Sequence, residues 1–210
     1  MAFFQKGLRH MFVELIRTST PSPYWFQKTP NHHMIQLAPH FLAMWPNAKF
    51  VFLKRRAPEF IESRRRKFPD SSFEENCRSW AGAMQNWAAV RGQLPGHAME
   101  IDQLALANSP KTVAINVAAF AGLNYMQARR FAEVLSAARP EQTGAAQSTV
   151  VDIDDLDWSA AERATFDALC APLMDKFGYA TNENYRVPEG PHRWLTRMPQ
   201  AGNAERAAAL

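Results

Sequence analysis

Apolar positions recur at helical spacing along most of this chain and at strand spacing in only two short runs. Residues 1–17 place Phe4, Leu8, Phe12, Leu15 and Ile16 on one side of a predicted amphipathic helix, which the Ser-Thr-Pro-Ser-Pro cluster at 19–23 breaks. Residues 31–45 read as helix ended by Pro46. The run Lys49-Phe50-Val51-Phe52-Leu53-Lys54 has the character of a buried parallel strand. Pro58 then suits the first turn of a helix reaching about Lys67. Ser72-Phe73-Glu74-Glu75 is a capping box, and the helix it opens sets Phe73, Cys77, Trp80, Met84 and Trp87 on one core stripe. Leu94-Pro95-Gly96 stops it, and His97–Asp102 reads as a second short strand.

Ser109-Pro110 is a cap followed by a helix-starting proline, leading a helix through Val113, Val117 and Phe120 to Gly122; a further helix covers about 125–138. Beyond a polar loop at 140–149, Ser159-Ala160-Ala161-Glu162 is a second capping box. Its helix buries Phe166, Leu169, Cys170, Leu173 and Phe177, and Gly178 closes it. Many helices with two or three short parallel strands predict an α/β architecture. The divisions expected are an N-terminal amphipathic helix at 1–21, a main domain at 22–180 and a loose tail at 181–210, rich in Pro, Arg and Ala.

Composition changes this picture in three ways. No run of eighteen apolar residues is present, so no membrane span is expected, and the charged N-terminal stretch is a poor signal peptide. Cys77 and Cys170 are the two cysteines, and both fall in apolar stripes. They read as buried thiols, with a disulfide as the alternative, in a reducing, cytoplasmic setting. The net charge of +4 conceals an asymmetry: residues 1–67 hold twelve Lys/Arg against three acids (Glu14, Glu59, Glu62), and the remainder holds twelve against seventeen. The first third therefore attracts anions, whether nucleic acid, a phosphorylated cofactor or an anionic substrate.

Two spacings within that third carry candidate chemistry. Lys28-Thr29-Pro30 stands at a predicted helix start, where an ammonium can face an anion lying on the helix terminus. Arg55 leaves the apolar strand, and Ser63 follows eight residues later in the next helix. The planar guanidinium fork and the short hydroxyl could hold one phosphate from two sides. The run Arg64-Arg65-Arg66-Lys67 reads as a solvated face that could also meet an acidic substrate.

Taken in order, these pieces resemble the sulfotransferase superfamily, whose members move the sulfuryl group of 3′-phosphoadenylyl sulfate to a hydroxyl or amine. Lys28-Thr29-Pro30 is similar to the family's lysine motif, and Arg55 with Ser63 is similar to its 3′-phosphate pair. The segment Arg55–Pro69 looks like a bacterial branch. Met99–Leu104, Ser109-Pro110 and Phe120-Ala121-Gly122-Leu123 resemble the family's late strand, its turn and the close that follows. Ala138–Gly144 resembles a late loop approaching the cofactor, and Trp158–Tyr179 a closing helix. The resemblance covers roughly residues 22–180. It implies a P-loop nucleotide-hydrolase-like α/β fold, helix-rich with a few short parallel strands, and 3′-phosphoadenylyl sulfate as donor with no metal. It also implies a small-molecule or glycan acceptor. Lys28 would stabilise the leaving phosphate, Arg55 and Ser63 would bind the 3′-phosphate, and His32 or His33 would take the acceptor's proton, with His32 preferred.

Two departures accompany the resemblance. The family opens with a strand and a phosphate loop, whereas Gly7 is the sole glycine ahead of Lys28, and Gln5-Lys6-Gly7-Leu8 lacks the hydroxyls such a loop uses. The chain is accordingly expected to be N-terminally truncated: a fragment, a misplaced start or a degraded copy, inactive alone if so. Also, Arg56 rather than Arg55 stands two residues before a proline; Arg55 keeps the spacing to Ser63 and is preferred. The competing function is a non-catalytic basic helical module for polyanions or nucleic acid. Against nucleic acid, no recognised motif is present and the aromatics lie in core stripes. A kinase-like P-loop enzyme would need a Walker loop, which the sequence does not contain.

Overall fold

The computed structural model describes residues 2–19, 25–29, 31–137, 150–183 and 185–186. Its central member is the helix opened at Ser72. Ser72 Oγ accepts from Glu75 N at 3.1 Å and Glu75 Oε2 accepts from Ser72 N at 2.8 Å, so the predicted capping box forms. The resulting helix, α4 (Phe73–Val90), follows α1 (Ala2–Ser19), α2 (Ala38–Met44) and α3 (Ala57–Lys67). Cys77, Trp80, Met84 and Trp87 are buried on its predicted stripe. They pack in one core with Ile61 of α3 and with Phe166, Cys170 and Met174 from the C-terminal part of the chain. Burying side chains of this size stabilises by about 1.5–3 kcal/mol each, so this seam dominates the fold's cohesion.

Strands β1 (Phe50–Lys54) and β2 (Ala98–Asp102) pair in parallel with Val51 opposite Met99 and Lys54 opposite Asp102. One face of the pair packs on α4, where Phe52 stacks on Trp87 at 4.7 Å between ring centroids. On the other face Met99 and Ile101 meet Val113 and Phe120 of a helix that follows. That cover stops at β2. Val51 and Leu53, on the same face, are 45% and 53% exposed, so β1 is buried on one side rather than on both as its apolar run predicts.

Between β2 and the predicted helix at Pro110 the chain inserts α5 (Gln103–Asn108), because the Asp102 carboxylate accepts Leu104 N at 2.8 Å and caps it. Helices α6 (Pro110–Phe120) and α7 (Tyr125–Ala137) form a hairpin turned at Gly122, whose φ is +72°. Ser109 makes no side-chain cap; the proline alone marks that start. The second capping box, at Ser159 and Glu162, opens α8 (Ala160–Leu169). The helix predicted to run on to Phe177 breaks at Cys170 and resumes as α9 (Ala171–Lys176). Pro172 has no N–H to give to the preceding turn. The two cysteines are free thiols, with Cys170 Sγ donating to Cys77 O at 3.8 Å. Residues 31–45, predicted as one helix, form a 3-10 turn (His32–Leu37) and then α2. The loop at 140–149 and the segment Ala138–Gly144 lie outside the described residues. Among the described residues no helix is long and apolar enough to cross a membrane.

Glu100 ties the sheet to α4. Its carboxylate accepts from Trp87 Nε1 at 2.7 Å and Arg91 Nη1 at 3.0 Å, and pairs with Lys54 Nζ at 3.4 Å. Burial pushes this carboxyl up, but the Trp87 bond, Lys54 and Arg91 outweigh it and hold the group below the ordinary carboxylate range. A folded-state pKa below the unfolded one adds stability above the ordinary value and loses it as pH falls through the carboxylate range. Glu100→Gln keeps the shape and removes the charge. It is expected to lower stability to urea by about 2 kcal/mol at pH 7 and to flatten the decline of stability on acidification below roughly pH 4.5.

Candidate functional site

Parallel sheets take ligands beyond the carboxyl ends of their strands. Here those ends deliver Arg55 and Arg56 from β1 and Asp102 from β2, around a cavity of about 20 Å³ that Glu59, Gln103 and Tyr185 also line.

The two adjacent arginines are in opposite situations. Arg56, the residue before α3, is 3% exposed. Its Nη1 donates to Asn182 O at 3.0 Å, and its Nη2 donates to Val151 O at 2.9 Å and Thr181 O at 3.0 Å. Its Nε lies 3.5 Å from Glu59 Oε2, while Glu59 Oε1 accepts Val151 N at 3.1 Å. Arg56 therefore holds the chain together. Arg55 points its side chain differently: its backbone carbonyl accepts from Trp80 Nε1 at 2.8 Å, and its half-buried guanidinium makes no hydrogen bond or ion pair with the described residues. Burial lowers its pKa, Glu59 and Asp102 raise it, and Arg66 lowers it again by like charge. A partly desolvated cation with no fixed partner is suited to an incoming anion.

Ser63 is half-buried on α3, two turns beyond Arg55, and does not line the strand-end cavity. It shares a helix face with Arg66, three residues on. Arg66 is the residue that spacing from Arg55 alone does not reveal. Its neighbours in the basic run are already engaged: Arg64 Nε donates to Asn76 Oδ1 at 2.7 Å and its guanidinium stacks on Phe68 at 4.8 Å. Arg65 pairs with Glu62 at 3.3 Å and Glu162 at 3.9 Å. Arg66 and Lys67 are left exposed to solvent.

Lys28 and His32 stand apart from this cavity lining. Lys28 is exposed in the irregular stretch 25–29, and Pro30 of its motif lies outside the described residues. His32 opens the 3-10 turn whose cap is Asn31, with Asn31 Oδ1 accepting His33 N at 2.9 Å. The His32 ring packs on α4 at Gly82, where an added Cβ would come within 3.2 Å of it, and its carbonyl accepts from Asn86 Nδ2 at 3.0 Å. Burial and then neighbouring His33 lower its pKa, so the imidazole is neutral at pH 7.

Two further residues of the site were not singled out in sequence. Asp102 is 5% exposed, and its Oδ2 accepts from Tyr185 Oη at 3.0 Å. An acid ending a strand just ahead of a helix is a detectable cap signal; Tyr185 lies in a stretch with no periodicity and gives none. Among the described residues no group of three His, Cys, Asp or Glu side chains gathers to hold a metal. The contrast between the arginines has a direct test. Arg56→Ala strands Glu59 and three carbonyls and is expected to cost about 3 kcal/mol or more in chemical denaturation. Arg55→Ala is expected to stay within about 1 kcal/mol of wild type.

The sulfotransferase family model matches residues 1–127, a stretch that holds Lys28, His32, Arg55 and Ser63 and ends at the start of α7. No curated protein and no solved structure matches the chain. With the match spanning more than half of the sequence, the chain belongs to the sulfotransferase family and is by that membership a transferase.

Proposed function

We propose that this chain binds 3′-phosphoadenylyl sulfate through its 3′-phosphate at Arg55 and Ser63, and serves transfer of the sulfuryl group to a hydroxyl or amine on a small-molecule or glycan acceptor. The observation that carries the reading is the Arg55 guanidinium: partly buried at the end of a parallel strand and without a hydrogen-bonding partner among the described residues, beside an arginine whose Nη groups are held by three carbonyls. Arg55 contributes charge and a fork of donors, Ser63 a short hydroxyl on the next helix, and Arg66 a second cation that raises the local positive field. A P-loop-like fold around these parts is the architecture this reading implies.

In the same reading Lys28 neutralises charge on the departing phosphate oxygen, and His32 accepts the acceptor's proton. The lowered pKa of His32 supports this assignment, since a base must be neutral at working pH. Both residues stand outside the strand-end cavity, so their roles require the donor to extend from Arg55 toward the 3-10 turn.

Calorimetric titration with adenosine 3′,5′-bisphosphate and with adenosine 5′-monophosphate tests the anion assignment. Wild type is expected to prefer the bisphosphate. Arg55→Ala is expected to weaken the bisphosphate roughly tenfold or more, the scale of one charge-assisted contact, and to leave the monophosphate almost unchanged. Ser63→Ala should weaken the bisphosphate by a smaller factor of about three. Equal bisphosphate affinity in wild type and Arg55→Ala would overturn the assignment. Binding of any polyanion with a steep salt slope and no nucleotide preference would favour the polyanion module instead.

A further inference from the structure

The carboxyl ends of β1 and β2 are covered by the chain's own C-terminal stretch, which lies beyond the family match. Gly178, with φ of +72°, turns the chain out of α9. Tyr179 and Tyr185 are 5% and 4% exposed, with ring centroids 5.3 Å apart. Thr181, Asn182 and Glu183 between them are exposed. The stretch is fastened at both strand ends. Lys54 lies over the Tyr179 ring at 5.2 Å, Arg56 holds the carbonyls of Thr181 and Asn182, and Tyr185 Oη donates to the buried Asp102 carboxylate at 3.0 Å.

What remains beneath Tyr185 is the cavity of about 20 Å³. That is room for one water and not for a phosphate. One side of Arg55 is therefore closed by a segment that is exposed in its middle and fastened at its ends by two core tyrosines and by polar contacts, so its local opening sets the cost of ligand entry. The Tyr179 hydroxyl is buried in the neighbourhood of the Asp102 carboxylate but makes no well-formed hydrogen bond to it, so the closed arrangement holds this group poorly.

We propose that residues 179–183 and Tyr185 form a strap, latched by the Tyr185–Asp102 hydrogen bond, and that the strap must release for a nucleotide phosphate to reach Arg55. The proposal rests on the sulfonate-donor reading given above. Because only the open form accepts the ligand, the apparent dissociation constant is the intrinsic one divided by the open fraction. Weakening the latch therefore tightens binding. Tyr185→Phe removes the latch hydrogen bond and keeps the ring.

Titration of wild type and Tyr185→Phe with adenosine 3′,5′-bisphosphate is paired with hydrogen exchange of residues 179–186 in wild type, with and without the nucleotide. The variant is expected to bind about tenfold more tightly, on the scale of one hydrogen bond to a charged group. The wild-type strap is expected to exchange faster once the nucleotide is bound. Equal or weaker binding by the variant together with unchanged strap exchange would overturn the strap while leaving the Arg55 reading in place. Absence of binding by both proteins would overturn the strap and the nucleotide reading together. Should Tyr185→Phe not fold, wild-type exchange decides: faster exchange on binding supports the strap, and unchanged or slower exchange overturns it.

Discussion

The Arg56 guanidinium is the constraint on which the arrangement of the strand ends depends. A buried cation is costly unless its donors are met, and this one meets the carbonyls of Val151, Thr181 and Asn182 and the carboxylate of Glu59. Those partners come from α3 and from two separate stretches some 95 and 125 residues further along the chain. Satisfying one side chain thereby fixes where the C-terminal part of the chain crosses the sheet. It also starts α3 at a defined point, one residue after the charge, with Pro58 in the first turn.

Arg55 acquires its character from that neighbour. Successive residues leaving a strand point to opposite sides. With Arg56 committed inward and the Arg55 carbonyl held by Trp80 of α4, the Arg55 side chain is left half-buried at the strand ends, in the fields of Asp102 and Glu59 on one hand and Arg66 on the other. Burial lowers its pKa, and the opposing fields leave it with no fixed partner among the described residues. Ser63 lies two turns along α3, half-buried and outside the strand-end cavity. The proposed division is thus a consequence of local geometry: one arginine builds the scaffold, and the other meets a ligand.

Much of this was legible in the sequence because the signals were local. The two capping boxes at Ser72 and Ser159, the stripe from Cys77 to Trp87 and the two short strands each follow from side-chain periodicity or a single hydrogen-bond exchange, and each forms. Where local rules met a non-local demand they fell short. Val51 and Leu53 read as buried, but whether α6 reaches over β1 is decided by packing far from them, and it does not. Pro172 could have flagged the break between α8 and α9, since its missing N–H is visible in sequence, but the apolar stripe running through Cys170 and Leu173 hid it. In the site, spacing singled out Arg55 and Ser63 without showing that Arg56 would be taken up by carbonyls 95 residues and more away. Tyr185, in the expected loose tail, proved buried against Asp102, a pairing no periodicity could announce. Residues 187–210 of that tail lie outside the described part of the chain.

The central claim is that of two adjacent arginines only Arg55 receives the ligand. Side-chain nitrogen NMR reads this directly, because each arginine Nε–H gives its own resonance. Titration with adenosine 3′,5′-bisphosphate should shift the Arg55 Nε–H signal progressively and saturably, while the Arg56 Nε–H, which faces Glu59 of α3 rather than the strap carbonyls, stays largely in place. A stationary Arg55 signal at saturating nucleotide, or a shift confined to Arg56, would contradict the account.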